Sequence, residues 1–361
     1  MSLTLDHIGF TQGPDTLIHD VSLTLERGTL HVLLGPTLAG KTTLMRLMAG
    51  LDKPSSGWLL LDGRDITGTP VRRRSVAMVY QQFVNYPTLS VYENIASPLR
   101  VAGVARAEVE QRVHVAAKLL RLEPMLGRMP AQLSGGQQQR TAIARALVKR
   151  AELVLLDEPL GNLDYKLREE LHEELPRLFA ESGAILVYAT TEPAEALLLG
   201  GETAALSEGR LVQAGPTAAI YREPQSLEAA RVFSDPPLNE LAVEKRDSAL
   251  RTEHGERPAP ASLLGLPDGH YRLGFRADAV TLGAKPPGSL SFEGTVSVTE
   301  INGSESFVHV DMGGDAWVCL IPGVHDLLPG ARTPLHIDVR RAFVFNASGA
   351  LASRPALAEA V

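Results

Sequence analysis

Short apolar runs alternate with segments of helical periodicity up to about residue 235 of the chain. Residues 3–10 and 21–28 alternate apolar and polar positions, which predicts half-exposed antiparallel strands. Other runs are continuously apolar, as strands buried on both faces are: residues 29–34, 153–156 and 184–189. Together these patterns predict a parallel sheet that is covered by helices.

Two of the intervening segments carry their apolar residues on one helical face. One helix is predicted to begin at Lys41, and another is predicted over about 105–122. The apolar faces consist of Leu44, Leu47, Met48 and Leu51 in the first helix, and of Val109, Val113, Ala116, Ala117 and Leu120 in the second.

The pattern changes at residues 233–241, FSDPPLNEL. Beyond this segment, short alternating stretches are separated by turns that contain Gly and Pro, which predicts a small β-barrel. We therefore expect two domains, residues 1–235 and residues 236–361. The length of 361 residues agrees with this division, because it exceeds the size of an ordinary single core.

Composition argues against several classes of protein. The formal net charge of −7 argues against nucleic acid as a partner, because phosphate backbones are bound by basic surfaces. No apolar stretch approaches the ~18 residues of a membrane-spanning helix, and the N-terminus does not resemble a signal peptide. The single cysteine, Cys319, fits a reducing compartment and is expected to be buried. We therefore expect a cytosolic protein that reaches a membrane only through another protein.

The segment GPTLAGKTT, residues 35–43, follows an apolar run and opens the first predicted helix. It satisfies the pattern G-x-x-x-x-G-K-[ST], whose glycines let backbone amides curl around a phosphate at the positive end of a helix. Lys41 is expected to reach the β- and γ-phosphates of a nucleotide, and the Thr42 hydroxyl to bind Mg²⁺. An ordinary glycine-rich turn is the competing interpretation. The predicted nucleotide-binding residues here are Gly35, Pro36, Thr37, Leu38, Ala39, Gly40, Lys41, Thr42 and Thr43.

A second apolar run ends in two acidic residues, in the segment LVLLDEP at 153–159. Asp157 stands at the end of the predicted strand, where its carboxylate could hold a metal ion through water. Glu158 follows it and could polarise an attacking water. Alone, such a pair could equally be a solvated loop, but beside a phosphate-binding loop it indicates nucleotide hydrolysis.

The segment LSGGQQQR, residues 133–140, predicts a second helix N-terminus that can bind an anion. One nucleotide does not need two such termini from one subunit, whereas two subunits facing head-to-tail would use both. The predicted contacts to the nucleotide of a partner are Ser134, Gly135, Gly136 and Gln137. A simple N-cap is the alternative interpretation of Ser134.

These motifs resemble those of the nucleotide-binding subunits of ABC transporters. The segments GNLD at 161–164 and VYQQFVNYPTLSVYENI at 79–95 add to the resemblance, with Gln81 as the glutamine of the family's Q-loop. Residues 273–280, LGFRADAV, and the β-rich segment to about 352 resemble the C-terminal regulatory domain of carbohydrate importers of the maltose and glycerol-3-phosphate type. The resemblance implies an α/β P-loop NTPase core with a helical subdomain at about 84–150, followed by a C-terminal all-β, OB-like barrel.

The resemblance also implies roles for further residues. Gln81 would contact Mg²⁺ and relay the nucleotide state to the helical subdomain, and Asp164 would cross the interface of an ATPase dimer. Phe83, Tyr86 and Tyr92 would line a groove for a coupling helix of a membrane-spanning subunit, with subdomain core as the alternative.

The cofactors implied by the resemblance are ATP and Mg²⁺. The implied partners are a second ATPase subunit, membrane-spanning permease subunits and an extracytoplasmic solute-binding protein. The chain would then be peripheral, on the inner face of the plasma membrane.

The chain departs from the family pattern on its own nucleotide-binding face. Where the family has a histidine that orients the attacking water, this chain has Thr191, whose hydroxyl is shorter and stays neutral. The position of the aromatic that stacks on adenine falls on Gln12 by count, with Phe10 nearby. Leu38 stands where a small residue is usual, and Gly161 replaces the common serine of the D-loop.

The signature segment at 133–140, in contrast, is intact. We therefore expect one half of an unequal ATPase pair, whose partner keeps the histidine; a homodimer that hydrolyses ATP through Glu158 is the competing expectation. The expected solute is a carbohydrate or polyol, and the variants at Leu38 and Thr191 look most like one of the two unequal ATPases of glycerol importers. The alternatives are an importer of an oxyanion or polyamine, and a weakly hydrolysing regulatory or structural clamp.

Overall fold

The computed structural model describes residues 2–161, 163, 165–283 and 285–356. The chain divides into two compact units, Met1–Ala218 and Ala219–Val361. Residue 235, where the sequence predicts a domain boundary, lies within the second unit. Within the described ranges, no helix is both long and apolar enough to cross a membrane.

Strands and helices alternate along the first unit. Its strands are β1 (Ser2–Gln12), β2 (Asp15–Glu26), β3 (Leu30–Leu34), β4 (Ser56–Leu61), β5 (Arg64–Asp65), β6 (Val76–Val79), β7 (Leu153–Asp157), β8 (Ile185–Thr190), β9 (Glu202–Ser207) and β10 (Arg210–Pro216). Its helices are α1 (Lys41–Ala49), α2 (Val91–Val101), α3 (Arg106–Leu119), α4 (Gly135–Val148), α5 (Tyr165–Ser182) and α6 (Pro193–Leu199). Helix α7 (Thr217–Arg222) begins at the end of this unit.

The central sheet of the first unit has the strand order β10-β9-β3-β8-β7-β6. Strands β3, β8, β7 and β6 run parallel, so their carboxyl ends lie at one edge. Alternate residues face opposite cores: Leu155 packs in the core that contains α1, whereas Leu156 packs in the core that contains Leu167 of α5. The predicted sheet with helices on both faces is thereby confirmed.

The half-exposed strands predicted near the N-terminus form the antiparallel pair β1–β2. Their sheet has the order β2-β1-β4-β5, and Leu3 pairs with Leu25 in it. Leu3 and Leu5 are buried in the same core as Leu44 of α1. The predicted half-exposed antiparallel strands are thereby confirmed, and the structure places their buried face against the first helix.

Helix α1 is shorter than its apolar stripe predicts. It ends at Ala49, because Gly50 adopts the left-handed conformation (φ 75°) and its amide bonds back to the carbonyls of Arg46 and Leu47. Leu51, which the periodicity assigns to the buried stripe, is 40% exposed. The prediction for Leu51 was wrong because a helix-terminating glycine intervenes.

Helices α2, α3 and α4 lie between β6 and β7 in the chain and contact one another. Helix α2 begins with a capping box in which Ser90 and Glu93 bond reciprocally. Helix α3 spans Arg106–Leu119, within the predicted 105–122. The buried residues of α3 are those of its predicted face, namely Val109, Val113, Ala116 and Ala117.

The second unit consists mainly of antiparallel strands. They are β11 (Asn239–Arg246), β12 (Ala249–Thr252), β13 (Gly255–Pro258), β14 (Gly269–Phe275), β15 (Val280–Leu282), β16 (Leu290–Ile301), β17 (Glu305–Asp311), β18 (Ala316–Pro322), β19 (Arg332–Ile337), β20 (Phe343–Asn346) and β21 (Leu351–Ser353). Short helices α8 (Leu227–Val232) and α9 (Ala261–Leu264) accompany them.

The two sheets of this unit, β13-β12-β11-β14-β20-β21 and β15-β19-β16-β17-β18, share one core. Trp317 lies at its centre, with the rings of Phe275 and Phe292 edge-on at 5.1 and 5.5 Å between centroids. Cys319 is buried there as expected, and burial raises the pKa of its thiol to about 12. These antiparallel sheets confirm the predicted OB-like barrel.

Candidate functional site

The phosphate-loop segment joins the carboxyl end of β3 to the first turn of α1. Gly40 occupies the N-cap of α1 with φ 97°, and no side chain caps this terminus. The first amides of the helix therefore point into the loop with no partner inside the helix. This geometry leaves the positive end of α1 open to an anion.

At both glycines of the G-x-x-x-x-G-K-[ST] pattern, the neighbouring strands leave no room for a side chain. A Cβ added at Gly35 would lie 2.3 Å from the carbonyl oxygen of Leu206. One added at Gly40 would lie 2.8 Å from Cδ1 of Ile18, and the positive φ there disfavours any side chain. The close approach of β2 and β9 thus fixes the shape of the loop.

Lys41 folds back over the loop that precedes it. Its ammonium donates to the carbonyl oxygens of Gly35 at 2.7 Å and Pro36 at 3.0 Å, and the residue is only 6% exposed. Burial lowers the pKa of Lys41, while the charges of Glu158 and Asp157 act in the opposite direction. An ammonium with three donors and two carbonyl acceptors retains one proton to offer a phosphate oxygen.

Thr42 and Asp157 meet at the same edge of the sheet. The Thr42 hydroxyl donates to Oδ2 of Asp157 at 2.7 Å. Burial raises the pKa of Asp157, although Thr42 and Lys41 oppose the shift. Burial disfavours the charged form of Asp157, so a cation beside it would be stabilising. The carboxylate of Asp157 and the hydroxyl of Thr42 are both oxygen ligands, which Mg²⁺ prefers.

This donor set is small. Over the described ranges, the structure contains no group of three or more His, Cys, Asp or Glu side chains that could hold a metal ion. Mg²⁺ at Thr42 and Asp157 would therefore depend on phosphate oxygens and water for the rest of its coordination, as is usual for this ion. Thr42 and Asp157 therefore fit a Mg²⁺ ion that binds together with a nucleotide.

Glu158 stands beyond the end of β7, with an unusual backbone conformation (φ 45°). Its amide donates to the carbonyl of Ala189 on β8 at 3.0 Å, and its Oε2 accepts a hydrogen bond from Nε2 of Gln81 at 2.7 Å. Burial raises the pKa of Glu158, and the charge of Lys41 opposes this shift. A carboxylate of raised pKa is a better proton acceptor, so Glu158 suits the predicted activation of water.

Four segments of the chain meet at this edge, and each follows or ends a different strand. The loop with Lys41 follows β3, Asp157 ends β7, Gln81 follows β6, and Thr191 follows β8. The amide of Gly35 bonds to the carbonyl of Thr190 at 3.4 Å, which joins the phosphate loop to the turn that carries Thr191. The structure thus brings together five of the predicted residues at this edge: Lys41, Thr42, Gln81, Asp157 and Glu158.

Ser134 opens helix α4 as the signature segment predicts. Its hydroxyl accepts from the amide of Gln137 at 3.4 Å, and the Gln137 side chain accepts from the Ser134 amide at 3.0 Å. Gly135 and Gly136 form the first turn. Ser134 is therefore an N-cap, but the glycines leave this terminus without side chains that would screen an incoming anion.

Thr191 lies in the turn between β8 and α6. The preceding Thr190 is buried, and its hydroxyl oxygen accepts from the Glu192 amide at 3.0 Å. Thr191 itself is partly exposed. Thr191 occupies the position at which the family resemblance expects a histidine. The hydrogen bond between its two neighbours, Thr190 and Glu192, thus holds the turn in place.

A largely buried carboxylate, Glu195 of α6, has a 10% exposed side chain and organises the same turn, a role that sequence reasoning missed. It accepts hydrogen bonds from Tyr188 of β8 and from Thr190, and it lies 2.8 Å from Nε2 of His172 on α5. Burial alone would raise the pKa of Glu195, but these hydrogen bonds outweigh it and lower the pKa. The Thr190 hydroxyl links Glu195 to the Glu192 amide, so the carboxylate fixes the turn around Thr191.

Helix α5 contacts both the turn that carries Thr191 and the segment that follows β7. One turn before His172, Arg168 donates to the carbonyl of Gly161 at 3.2 Å and lies 4.0 Å from Glu192. Polar residues such as His172 within the leucine stripe of α5 are the signal that could have revealed these contacts. They connect the D-loop segment with the turn that carries Thr191.

Replacing Glu195 with glutamine is expected to lower the free energy of unfolding by about 1–3 kcal/mol, because one amide oxygen must serve donors that now share a carboxylate. The lowered pKa means that the Glu195 contribution is present above its usual pKa of 4.5 and is lost as pH falls through the lower folded value. Urea unfolding at neutral and acidic pH measures both effects. Glu173→Gln, an exposed change on α5, is the matched control, and an equal loss for Glu195→Gln at both pH values would contradict the assignment.

Three further residues were predicted near the nucleotide or the dimer interface: Gln12, Phe10 and Asp164. Gln12 is exposed at the end of β1, where it pairs with Asp15. Phe10 is partly buried against the core, and its strand neighbour Ile18 is the residue that crowds Gly40. Asp164 lies outside the described residues.

The aromatic residues of the Q-loop segment divide between two environments. Phe83 and Tyr92 are partly buried and pack on the helical core. Tyr86 is 48% exposed, with the guanidinium of Arg145 at 5.0 Å from its ring centroid. A surface groove next to it is lined by Met78, Tyr86, Leu89, Pro98, Val101 and Arg145.

Comparison with known proteins adds independent observations. A family model described as "ABC transporter" matches residues 18–161. The trehalose/maltose import ATP-binding protein MalK of Thermococcus litoralis is 33% identical over 357 residues, covering 92% of this chain and 94% of MalK.

Two further matches cover about 65% or less of this chain. The spermidine/putrescine import ATP-binding protein PotA of Pseudomonas aeruginosa is 46% identical over 235 residues, which is 65% of this chain and 65% of PotA. This match therefore spans just under two thirds of that relative. The bacterial ABC transporter cassette MJ0796, solved as a dimer, is 30% identical with a TM-score of 0.55, covering 60% of this chain and 98% of the cassette.

Proposed function

Because the chain belongs to the ABC transporter family, among the ATP-binding proteins of import systems, we propose that it binds and hydrolyses ATP to power a bacterial importer. The proposed solute is a carbohydrate or polyol such as glycerol or glycerol-3-phosphate. The proposed place of the chain is the inner face of the membrane, as one of two unequal ATPase subunits.

The observation that carries ATP binding is the convergence at the carboxyl edge of the central sheet. The uncapped N-terminus of α1 and the buried ammonium of Lys41 offer positive charge to phosphates. Mg²⁺, held with Thr42 and Asp157, would neutralise charge on the phosphate oxygens. Glu158, which Gln81 holds in place, would accept a proton from the attacking water.

The second anion-binding terminus supports pairing with another ATPase subunit. The first turn of α4, with Ser134 and the two glycines, would close over the nucleotide of the partner, and the partner would close over the nucleotide of this chain. The dimeric structure of the MJ0796 cassette supports the pairing of two such subunits. Binding of ATP would close the pair and hydrolysis would open it, so the cycle supplies a mechanical stroke.

Thr191 supports the proposal that the two subunits are unequal. A threonine hydroxyl cannot act as an imidazole does, so the chain's own site would hydrolyse ATP slowly. The partner would keep the histidine and use residues 134–137 of this chain. Strong ATPase activity of the purified chain alone would contradict this proposal.

Thr191→His is expected to raise the ATP turnover of the purified chain, by about tenfold or more, because the imidazole would orient the attacking water. The turn is already held by Thr190 and Glu195, so the new side chain enters a fixed frame. Steady-state phosphate release measures the effect, with Thr191→Ala as the control. If Thr191→His gives no gain, the limiting change lies elsewhere on this face, at Gln12 or Leu38.

The groove beside Tyr86 supports an interaction with a membrane-spanning permease subunit. Val101 is 91% exposed there, next to the exposed ring of Tyr86 and the guanidinium of Arg145. The lining is mainly apolar and includes two cationic side chains, Arg145 and Lys149, which suits a short helix that has an apolar face and an acidic or amide end. An extracytoplasmic solute-binding protein would complete the importer.

The assignment of a carbohydrate or polyol rests on the match to MalK, which continues through the second unit. The similarity of 65% of this chain to PotA favours a polyamine as the second candidate. Uptake of labelled glycerol, glycerol-3-phosphate, maltose and spermidine by cells that lack this gene distinguishes them. Loss of polyol or sugar uptake supports the proposal, and loss of spermidine uptake alone overturns it.

A weakly hydrolysing clamp is the remaining candidate from a different class. Thr191 is the observation that favours it. The intact geometry of Lys41, Asp157 and Glu158 supports a site that still binds nucleotide.

A further inference from the structure

Leu38 is an outlier within the phosphate loop. Its φ of 69° lies in the left-handed region, which a branched apolar side chain rarely adopts. The side chain is also 93% exposed, so it packs against almost nothing in this chain. The backbone conformation of Leu38 is therefore unfavourable, and burial of its side chain within the chain does not compensate for this strain.

The sequence neighbours of Leu38 are uncharged. Pro36 and Thr37 are exposed beside it, whereas Ala39 is buried and ends the exposed tip. A polyphosphate gains nothing from an isobutyl group, because anions are bound by amides, hydroxyls and cations. Both the strain and the exposure point to a contact made outside this chain.

We infer that Leu38 packs against the opposing ATPase subunit when the pair closes over nucleotide. This inference rests on the proposed function, in which two ATPase subunits face each other. The phosphate loop surrounds the phosphates from one side, so a helix N-terminus that completes the site must come from the other side. A side chain at the exposed tip of the loop is then covered by the segment of the partner that carries this helix.

Cysteine labelling tests this contact directly. The single native cysteine, Cys319, is buried with its thiol pKa raised, so it reacts slowly with alkylating reagents. Leu38→Cys therefore introduces one reactive thiol at the tip of the phosphate loop. Leu264→Cys, at a 53% exposed leucine of the second unit, is the matched control.

The rate of alkylation is to be measured in the assembled importer with ATP and Mg²⁺, with ADP and Mg²⁺, and without nucleotide. We expect ATP to slow alkylation of Leu38→Cys by about tenfold and ADP by less than about threefold, because ADP occupies the phosphate loop without closing the pair. Alkylation of Leu264→Cys should not change. Equal protection by ATP and ADP means that the nucleotide covers the tip, and no protection means that nothing covers it; either result overturns the inference.

A pair of substitutions separates strain from contact. Leu38→Gly removes both the side chain and the strain, so the Tm of the full chain is expected to rise by about 2–4 °C. Leu38→Ala removes the contact but keeps the strained backbone, so the Tm should stay unchanged. Both variants should weaken ATP-dependent closure of the pair, by about tenfold in the ATP concentration required. Unchanged closure in both variants would overturn the inference.

Binding of labelled ATP to the purified chain distinguishes the two possible failures. If the chain does not bind ATP, the proposed function fails and the inference fails with it. If the chain binds ATP but Leu38→Cys shows no ATP-specific protection in the importer, only the inference about Leu38 fails.

Discussion

Lys41→Ala is expected to weaken ATP binding by this chain about 100-fold or more. The ammonium is buried and already oriented by the carbonyls of Gly35 and Pro36, so its attraction to a phosphate is not weakened by water. Charge-assisted hydrogen bonds are worth about 1.5–3 kcal/mol each, and each 1.4 kcal/mol is about tenfold in affinity. Without the ammonium, those two carbonyls would also face the phosphates directly.

Titration of the purified full chain with ATP and Mg²⁺ measures the affinity. Lys53→Ala is the matched control, because it removes an exposed lysine that lies beyond the end of α1. Circular dichroism should show that Lys41→Ala keeps the fold. A loss of less than about threefold for Lys41→Ala would contradict the assignment of the phosphate loop.

Gly136→Asp is expected to lower ATP hydrolysis by the assembled importer about 100-fold or more. Gly136 is the second residue of α4, where a carboxylate would stand at the terminus that we propose receives the phosphates of the partner's nucleotide. An acidic residue in the first turn stabilises a helix by about 0.3–1 kcal/mol, so the variant should fold normally. The same charge repels a phosphate, so the loss of activity would report on the site alone.

The affinity of the isolated chain for ATP should not change in Gly136→Asp, because the proposed phosphate site for its own nucleotide lies at α1. Ala107→Asp is the matched control, since Ala107 is the exposed second residue of α3. ATP hydrolysis by the importer with Ala107→Asp should stay at the unsubstituted level. Equal losses in both variants would contradict a special role for the first turn of α4.

Local sequence patterns predict those parts of the site that lie within one stretch of chain. The loop from Gly35 to Thr42 and the pair Asp157–Glu158 are each contiguous, because strand, turn and helix follow one another there. Parallel strands then place these stretches at one edge without further information. The chemistry of the edge therefore follows from order along the chain.

Contacts between distant elements could not be predicted in the same way. Glu195 meets His172 only because α5 and α6 pack together beside β8. The hydrophobic periodicity of one helix contains no information about its neighbour, so it assigns polar residues such as Glu195 and His172 to the solvent-exposed face. The same locality explains the wrong assignment of Leu51, since the left-handed turn at Gly50 ends a helix whose apolar pattern continues.

The carboxylates of the site show why its geometry favours hydrolysis over simple anion binding. Burial raises the pKa of both Asp157 and Glu158, so the site holds negative charge at an energetic cost. A divalent cation would relieve this cost at Asp157, whereas at Glu158 the raised pKa strengthens a proton acceptor. Removal of Mg²⁺ therefore should affect binding and hydrolysis together.

In the proposed unequal pair, this chain lends a complete signature segment to its partner, while its own site, with Thr191, hydrolyses ATP slowly. Steady-state ATP hydrolysis by the assembled importer that carries Glu158→Gln distinguishes this pair from two equal sites, because the substitution removes the proton acceptor of this chain's site alone. We expect about half or more of the hydrolysis rate to remain, since the partner's site supplies most of the turnover. A fall to about one hundredth of the rate, equal to that expected for Gly136→Asp, would contradict the unequal pair.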